Sequence, residues 1–531
     1  MLKVDEYLWF PPEELSAAED RIAKRAAKKR KLFVFLREQR AVLFDESFQR
    51  ELIEMYRQTG AGKPPLPPAM MATATLLQAY AQVADHEAVE LTVDSKRWQM
   101  VLDCLGAEEP LFSQGALYDF RMRLMSTGMD RRLLERTVEL ARQVGGFSDR
   151  SLRLALDSSP IWGRGRVEDT VNLLGHASRK VIDCLAQLTQ HSVAELVQSI
   201  GLSLFDATSI KAALDVDWSD QQAKNDALAR LVDEIEALQR WIATHLAAQS
   251  ERPPLSNALE TLQALIDQDL EPDPSGRGKR IRLGVAQDRQ ISIEDPQMRH
   301  GRKSSSKTFN GYRRHIAHDI DERLVLAAEV SPGNERDAEA VGPLLADVHR
   351  QNRQLLSLHI DRAYLPADEV AVLADEGVDI VSRPPPMTNI KTGGLSKRDF
   401  SINIEQMQIT CPAGTAMPIE LGKMTRFPKE TCDQCQLRSR CTTATRFGRT
   451  VDIHPREPLH QQLLALVRQP QGRATLRERV EVEHALAHIS QRQGNRARYT
   501  GTRKNTFHLR MAAVVQNLER AQTLAQERLA A

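Results

Sequence analysis

The chain has 531 residues, of which 41% are hydrophobic and 27% are charged. This ordinary globular mixture suits about three or four domains, and it excludes a wholly disordered, a collagen-like or a disulfide-stapled miniature protein. The 72 Lys and Arg residues nearly balance 71 Asp and Glu residues, and the formal net charge of +1 argues, taken alone, against a polyanionic partner. No membrane span or secretory signal is evident, so we predict a soluble cytoplasmic protein.

The charge is nevertheless segregated along the chain. Residues 21–40 carry nine Lys or Arg against one acid, residues 276–314 carry eleven against three, and residues 491–510 carry six against none. Residues 213–275 carry thirteen acids against four basic residues. Each block could be a solvated face, but the basic blocks could also contact phosphates. The neutral total therefore does not exclude DNA.

The N-terminal part is predicted to be helical. Residues 12–58 and 68–145 have helical patterns, and Ser113 is placed to cap a helix. Between them, Gly60–Lys63 resembles a phosphate loop, but position 57 is Arg and position 64 is Pro, so the motif fails and a turn is the better reading. We predict an all-helical domain over residues 1–148.

Two aspartates follow short apolar runs further along the chain. Leu152–Leu156 alternates like a strand and ends at Asp157, and the run Leu355–Ile360 ends at Asp361. Further strands and helices alternate around them, which predicts an α/β layer architecture. Acids at the carboxyl ends of neighbouring strands, with a third acid from a helix, can hold two Mg²⁺ ions. The alternative is that both are turn or capping residues.

Four cysteines form a second constellation, in a stretch predicted to be a small β-rich insertion. They are Cys411, Cys432, Cys435 and Cys441. Four thiolates with such spacing suit a closed, tetrahedral and therefore structural Zn²⁺ site. The alternative is a set of reduced cysteines without metal. Cys104 and Cys184 lie in helical segments and are predicted to be core residues.

Two basic loops carry side chains that could hold phosphates or stack on bases. The alternative is that both are flexible surface loops. The candidate DNA-binding residues are Arg302, Lys303, Lys307, Arg496, Arg498, Tyr499, Arg503 and Lys504.

Several segments together resemble a known family. They are Leu156–Thr170, Arg299–Lys303, Phe309–Tyr312, His359–Tyr364, Val482–His484, Arg496–Tyr499 and Arg503–Asn505. In this order they resemble a bacterial insertion-sequence transposase of the DDE class, which has an RNase H-like catalytic fold. The resemblance covers almost the whole chain.

The resemblance implies a catalytic triad of Asp157, Asp361 and Glu483, which would bind Mg²⁺ or Mn²⁺. Glu483 is preferred to Glu481 because the family places the acid directly before a His. Where many relatives have a Tyr and an Arg before this Glu, the chain has Leu476-Arg477-Glu478-Arg479. The function of Arg477 or Arg479 is therefore left open.

The resemblance also implies a domain order. After the helical domain it predicts the first catalytic segment (149–167), a helical insertion (168–275), a second catalytic segment (276–390), a Cys-rich insertion (391–455) and C-terminal catalytic helices with a basic DNA-contacting segment (456–531).

The implied function is transposition. The protein would bind double-stranded DNA at terminal inverted repeats, as a homodimer or higher oligomer, cleave the element ends and join the 3′-OH ends to target DNA. The alternatives are a DDE-derived nuclease or a domesticated DNA-binding protein without strand transfer.

Overall fold

The computed structural model describes most of the chain. The described residues are 7–56, 66–146, 151–274, 278–304, 306–386 and 394–530. The predicted turn at Gly60–Lys63 lies outside them, as do Ser305 of the first basic loop and the residues at three predicted domain boundaries (147–150, 275–277 and 387–393).

The N-terminal part is helical, in agreement with the sequence pattern. Its helices are α1 (Ala17–Ala26), α2 (Lys31–Leu43), α3 (Glu46–Glu54), α4 (Pro68–Ala81), α5 (Asp85–Asp94), α6 (Lys96–Leu102), α7 (Gln114–Thr127) and α8 (Met129–Gly145). Ser113 caps α7, since its side chain accepts a hydrogen bond from the Ala116 amide. Gly128 ends α7 in the left-handed conformation that favours glycine, and α8 begins directly after it.

A long strand then leads into the helical insertion. These elements are β1 (Leu152–Trp162), α9 (Thr170–Thr189), α10 (Val193–Ile200), α11 (Ser203–Asp206), α12 (Ile210–Leu214), α13 (Gln221–His245), α14 (Ala247–Ser250), α15 (Leu255–Asp269), β2 (Leu270–Pro272) and β3 (Lys279–Ile281).

The second catalytic segment alternates strands and helices. Its elements are β4 (Arg299–Arg302), β5 (Thr308–Asp319), β6 (Leu324–Pro332), α16 (Val341–His349), β7 (Leu355–His359), α17 (Asp368–Asp375) and β8 (Asp379–Val381).

The Cys-rich insertion has short strands and helical turns, and four helices complete the chain. The elements are β9 (Ser401–Asn403), β10 (Gln408–Thr410), β11 (Ala416–Pro418), β12 (Met424–Arg426), α18 (Lys429–Asp433), α19 (Arg438–Cys441), β13 (Thr450–Asp452), α20 (Glu457–Arg468), α21 (Pro470–Arg477), α22 (Val480–Gln493) and α23 (Thr502–Ala530).

A mixed sheet lies at the centre of this α/β protein. Its strands follow the order β4–β5–β1–β7–β8, and β6 also pairs with β5. Strand β5 runs antiparallel to β1 and β6, whereas β7 and β8 run parallel to β1. Neighbouring strands that are far apart in sequence, such as β1 and β7, bring distant residues together.

Strand β1 is longer than predicted. The sequence pattern ends the strand at Leu156, which would place Asp157 at its carboxyl end, but β1 continues to Trp162. The reason is that β5 pairs with β1 without a break from Leu154 to Trp162, so the hydrogen-bonded ladder carries the strand past Pro160. Asp157 therefore lies within a strand, at the point where the pairing with β7 has ended.

Three hydrophobic cores stabilise the fold. One continuous core joins the N-terminal helices, the sheet and α23, while the helical insertion and the Cys-rich insertion each have their own. Helix α23 packs against α8 and β6. Its buried Asn517 donates to the Val325 carbonyl and accepts from the Val325 amide, both at 2.8 Å. Both backbone groups of Val325 in β6 are therefore hydrogen-bonded.

Among the described residues, no helix is both long and apolar enough to cross a membrane.

Candidate active site

The three predicted acids come from three separate parts of the chain. Asp157 lies in β1, Asp361 follows β7 by two residues, and Glu483 lies in the first turn of α22. The parallel pairing of β1 with β7 ends at Ala155 and His359, two residues before Asp157 and Asp361 respectively. Helix α22 packs on β1 and β5. The fold thus brings the three carboxylates to one place.

Arg479 links two of these acids. Its Nη1 atom lies 3.0 Å from Asp157 Oδ2, and its Nη2 atom donates to Glu483 Oε1 at 2.7 Å. Arg479 and Glu483 are four residues apart, so they share one helical face. Glu481 instead forms an ion pair with Arg323 at 3.3 Å. Between the two candidate glutamates, the geometry therefore favours Glu483.

The pKa of Asp157 also reflects the charges of the other two acids. Burial raises the pKa of the Asp157 carboxyl, and the nearby negative charges of Glu483 and Asp361 raise it further. The Arg479 guanidinium and the Ser158 amide, which donates at 2.8 Å, oppose this rise. A half-buried carboxylate among other carboxylates needs a compensating cation, and in this structure Arg479 supplies it.

The donor set fits a hard divalent cation, because Mg²⁺ prefers carboxylate oxygens and needs few protein ligands. The Arg479 guanidinium is the cation that now contacts Asp157 and Glu483. With the side chains as they stand, the described residues contain no group of three or more His, Cys, Asp or Glu side chains placed to hold a metal ion.

A buried polar network supports the backbone next to the acids. Ser158 donates to Asp337 Oδ1 at 3.1 Å, and the Tyr364 hydroxyl hydrogen-bonds His315 Nδ1 at 3.1 Å. Burial lowers the pKa of His315 to about 3, so its ring stays neutral. The Tyr364 amide donates to the carbonyl of Asp361 at 3.1 Å. These contacts hold the chain on either side of the site in a defined position.

The first group of predicted DNA-binding residues lies on the β4–β5 hairpin. Arg302, Lys303 and Lys307 are all exposed there. The Lys303 amide donates to the Lys307 carbonyl at 2.8 Å, which closes the tip of the hairpin. The three cations are therefore presented to solvent at this end of the hairpin.

The second group, between α22 and α23, divides into exposed and internal residues. Arg496 and Arg498 are exposed, and Tyr499 and Lys504 line a cavity beside α7. Arg503 differs, because its guanidinium donates to both oxygens of the fully buried Asp130, at 2.6 and 2.8 Å. Arg503 therefore joins α23 to α8.

The four cysteines of the Cys-rich insertion line one cavity of about 510 Å³. The Thr415 amide donates to Cys411 Sγ at 3.3 Å, and the Arg449 amide donates to Cys432 Sγ at 3.4 Å. Burial raises the pKa of the Cys441 thiol; Arg449 lowers it and the other three thiols raise it. The sequence spacing thus corresponds to a spatial cluster, although in the described part of the chain no three of these thiols are placed to hold one metal ion.

The sequence reasoning left one functional candidate undecided and missed others. The signal for Arg479 was its spacing of four residues from Glu483, which Arg477 does not share. No local pattern indicated that Asp337 and His315 support the site, because their contacts join residues far apart in the chain.

Comparison with known protein families found two matches. A model described as a transposase DDE domain matches residues 410–522, and a second transposase domain model, DUF772, matches residues 19–123. The first match contains Glu483 and the four cysteines, whereas Asp157 and Asp361 lie outside both matched segments. Neither the curated proteins nor the solved structures contain a match.

Proposed function

Taking the chain to be an insertion-sequence DDE transposase, as the two domain matches support, we propose that it cleaves DNA at the ends of its element and joins the freed 3′-OH ends to target DNA. Asp157, Asp361 and Glu483 are the proposed catalytic residues. The observation that carries the proposal is the convergence of these acids, seen in the ion pairs of Arg479 and in the raised pKa of Asp157.

The proposed catalytic core is RNase H-like. Supporting this, β1 occupies the centre of the sheet. On one side β5 runs antiparallel to β1, and on the other β7 and β8 run parallel to it. Asp157 lies on β1, Asp361 follows the parallel strand β7 by two residues, and Glu483 lies on α22, which packs on β1 and β5. In open α/β sheets, reactive groups collect at such places.

The proposed chemistry needs a carboxylate cluster and a divalent metal. DDE transposases generally use divalent metals such as Mg²⁺; when bound by Asp157, Asp361 and Glu483, the metal would activate water or a 3′-OH and stabilise the leaving oxygen. The buried network at Ser158 and Tyr364 holds the backbone that carries these acids. Once Arg479 leaves the acids, its guanidinium is free to pair with a DNA phosphate.

We assign DNA binding to two parts of the chain. The N-terminal helical domain, matched by a transposase model, is proposed to read the terminal inverted repeats. A set of residues on the β4–β5 hairpin and between α22 and α23 is proposed to contact the DNA backbone and bases: Arg302, Lys303, Lys307, Arg496, Arg498, Tyr499, Arg503 and Lys504. A homodimer or higher oligomer on double-stranded DNA would bring both element ends together, and the reaction would take place in the cytoplasm.

Conservative substitutions test the catalytic assignment. We expect Asp157→Asn, Asp361→Asn and Glu483→Gln each to abolish Mg²⁺-dependent cleavage of element-end DNA, with DNA binding retained. The matched control is Glu481→Gln, which changes the same charge two residues away and should keep cleavage, since Glu481 pairs with Arg323. Normal cleavage by any triad variant would remove that residue from the assignment.

A strand-transfer assay with pre-cut ends separates the proposal from its main alternative. A transposase joins the 3′-OH ends to target DNA, whereas a DDE-derived nuclease cleaves without joining. Cleavage with no joined product would replace the transposase proposal by the nuclease.

For the Cys-rich insertion we propose a structural Zn²⁺ bound by Cys411, Cys432, Cys435 and Cys441. Support comes from their shared cavity and from the amide donors that already face two of the sulfur atoms. Four thiolates leave no open ligand position, so such a site would stabilise the insertion and take no part in the reaction. Metal analysis of the purified chain tests this: folded protein without Zn²⁺ would overturn it.

A further inference from the structure

An exposed tryptophan and two arginines alternate with buried glycines at the end of β1. Trp162 is 47% exposed, more than any of the other four tryptophans, and Arg164 and Arg166 are exposed as well. A Cβ atom at Gly163 would collide with Met298, and one at Gly165 would collide with Ser292 and Asp295. The two glycines thus allow the backbone to press against its neighbours, and the three large side chains face solvent.

A second basic segment lies alongside this one. Arg496 and Arg498 are exposed on either side of the buried Ala497. The Ala497 amide donates to the Trp162 carbonyl at 2.7 Å, and Arg164 Nη1 donates to the Arg498 carbonyl at 2.9 Å. We call Trp162, Arg164, Arg166, Arg496 and Arg498 the tryptophan–arginine surface. Its backbone is held from both sides, so Trp162 is exposed on a fixed support.

The surface keeps its positive charge. The contacts of Arg164 and Arg496 described by the structure go to backbone carbonyls, which carry no net charge. The nearest acids in sequence have other partners: Glu168 contacts His176, and Asp169 pairs with Lys211 at 2.7 Å. A cationic surface around a large aromatic ring complements a polyanion that also offers flat apolar faces.

We infer that Trp162 stacks on an unpaired base of a DNA strand, while the surrounding arginines hold its phosphates. Within a duplex both faces of each internal base are covered by its neighbours, so the indole can stack on an unpaired base but not on an internal base pair. The inference rests on the proposed function, since cleavage frees a strand terminus at the element end, and an unpaired base at that terminus is what the surface would bind. It adds a contact for a single-stranded end to the proposed duplex contacts.

Binding of full-length protein to two matched probes tests the inference. One is a blunt duplex with the element-end sequence, and the other is the same duplex with a short single-stranded 3′ tail. We expect the wild-type chain to prefer the tailed duplex by about tenfold, the order of one stacked base. Trp162→Ala should lose that preference, Trp162→Phe should keep most of it, and binding of the blunt duplex should change little.

Two further measurements make the result specific. Trp218→Ala, a substitution in the helical insertion, should leave the preference unchanged. Tryptophan fluorescence should be quenched when the tailed duplex binds, and Trp162→Phe should remove most of that quenching.

The inference is overturned if wild type shows no preference for the tailed duplex, or if Trp162→Ala retains the preference and the quenching. Either result leaves the proposed function intact as long as the wild type still cleaves element ends and the triad variants do not. Failure of the proposed function would appear separately, as triad variants that still cleave.

Discussion

Arg479 occupies the position where a cation is needed, so its removal should strengthen metal binding. Its guanidinium contacts Asp157 Oδ2 at 3.0 Å and Glu483 Oε1 at 2.7 Å. A metal ion that binds these two oxygens must first displace the guanidinium. In Arg479→Ala nothing has to be displaced, and the two carboxylates are left to repel each other until a cation binds.

The structure gives the size of this effect. The side chains of Arg479 and Asp157 are 24% and 17% exposed, and that of Glu483 is 49% exposed, so both ion pairs are partly screened by water. Two such pairs together contribute about 1–2 kcal/mol. If metal binding no longer has to break them, the affinity should rise about 5–30-fold.

Calorimetric titration with Mn²⁺ in the absence of DNA measures this without reference to activity. Arg477→Ala is the matched control, because it removes the same charge from an exposed position two residues away and should change the affinity much less. Asp157→Asn should abolish the binding and so identify the titrated site. Equal Mn²⁺ affinities for Arg479→Ala and Arg477→Ala would refute the competition between guanidinium and metal.

Two further predictions concern stability. Asp130→Asn removes the fully buried partner of Arg503 and of the buried Arg510, and should lower the free energy of unfolding in urea by about 3–5 kcal/mol. Asp368→Asn, at a side chain 97% exposed, should cost less than about 1 kcal/mol. Equal losses would contradict the role given to burial. Burial raises the pKa of Glu19, but hydrogen bonds from Arg37 and Ser16 outweigh it and hold the pKa at about 2, below its ordinary 4.5. The stabilisation from the ionised Glu19 is therefore fully present above pH 4.5 and declines toward pH 2. In urea titrations, the difference in unfolding free energy between wild type and Glu19→Gln should shrink by about 1.4 kcal/mol from pH 7 to pH 3.5. A pH-independent difference would show that Glu19 is not ionised in this pair.

Much of the candidate site could be predicted from local patterns. Asp157 and Asp361 stand out because each follows a run of apolar residues, whereas Glu483 is implied by the resemblance, in which the acid stands before a His. The resemblance to a DDE transposase is confirmed by the two domain matches. The catalytic role of the three acids stays a prediction, and so do the domain boundaries.

The contacts that join distant segments could not be predicted in this way. The length of β1 depends on its pairing with β5, which the helical insertion separates from it in the chain. Arg503 was predicted to bind DNA because its surroundings in sequence are basic. The structure adds its ion pair with the buried Asp130, which lies 373 residues earlier, while its DNA-binding role stays a prediction.

The sequence by itself determined the kinds of group that are present: carboxylates after runs of apolar residues, four closely spaced thiols, and basic segments whose charge is balanced by acids elsewhere in the chain. These features depend on residues close together in the chain, and the periodicity and spacing of such residues follow from helix and strand geometry. The tertiary structure decided which groups meet. Arg479 lies between Asp157 and Glu483, and Trp162 lies beside Arg496, because the register of strands and the packing of α22 depend on contacts between segments hundreds of residues apart.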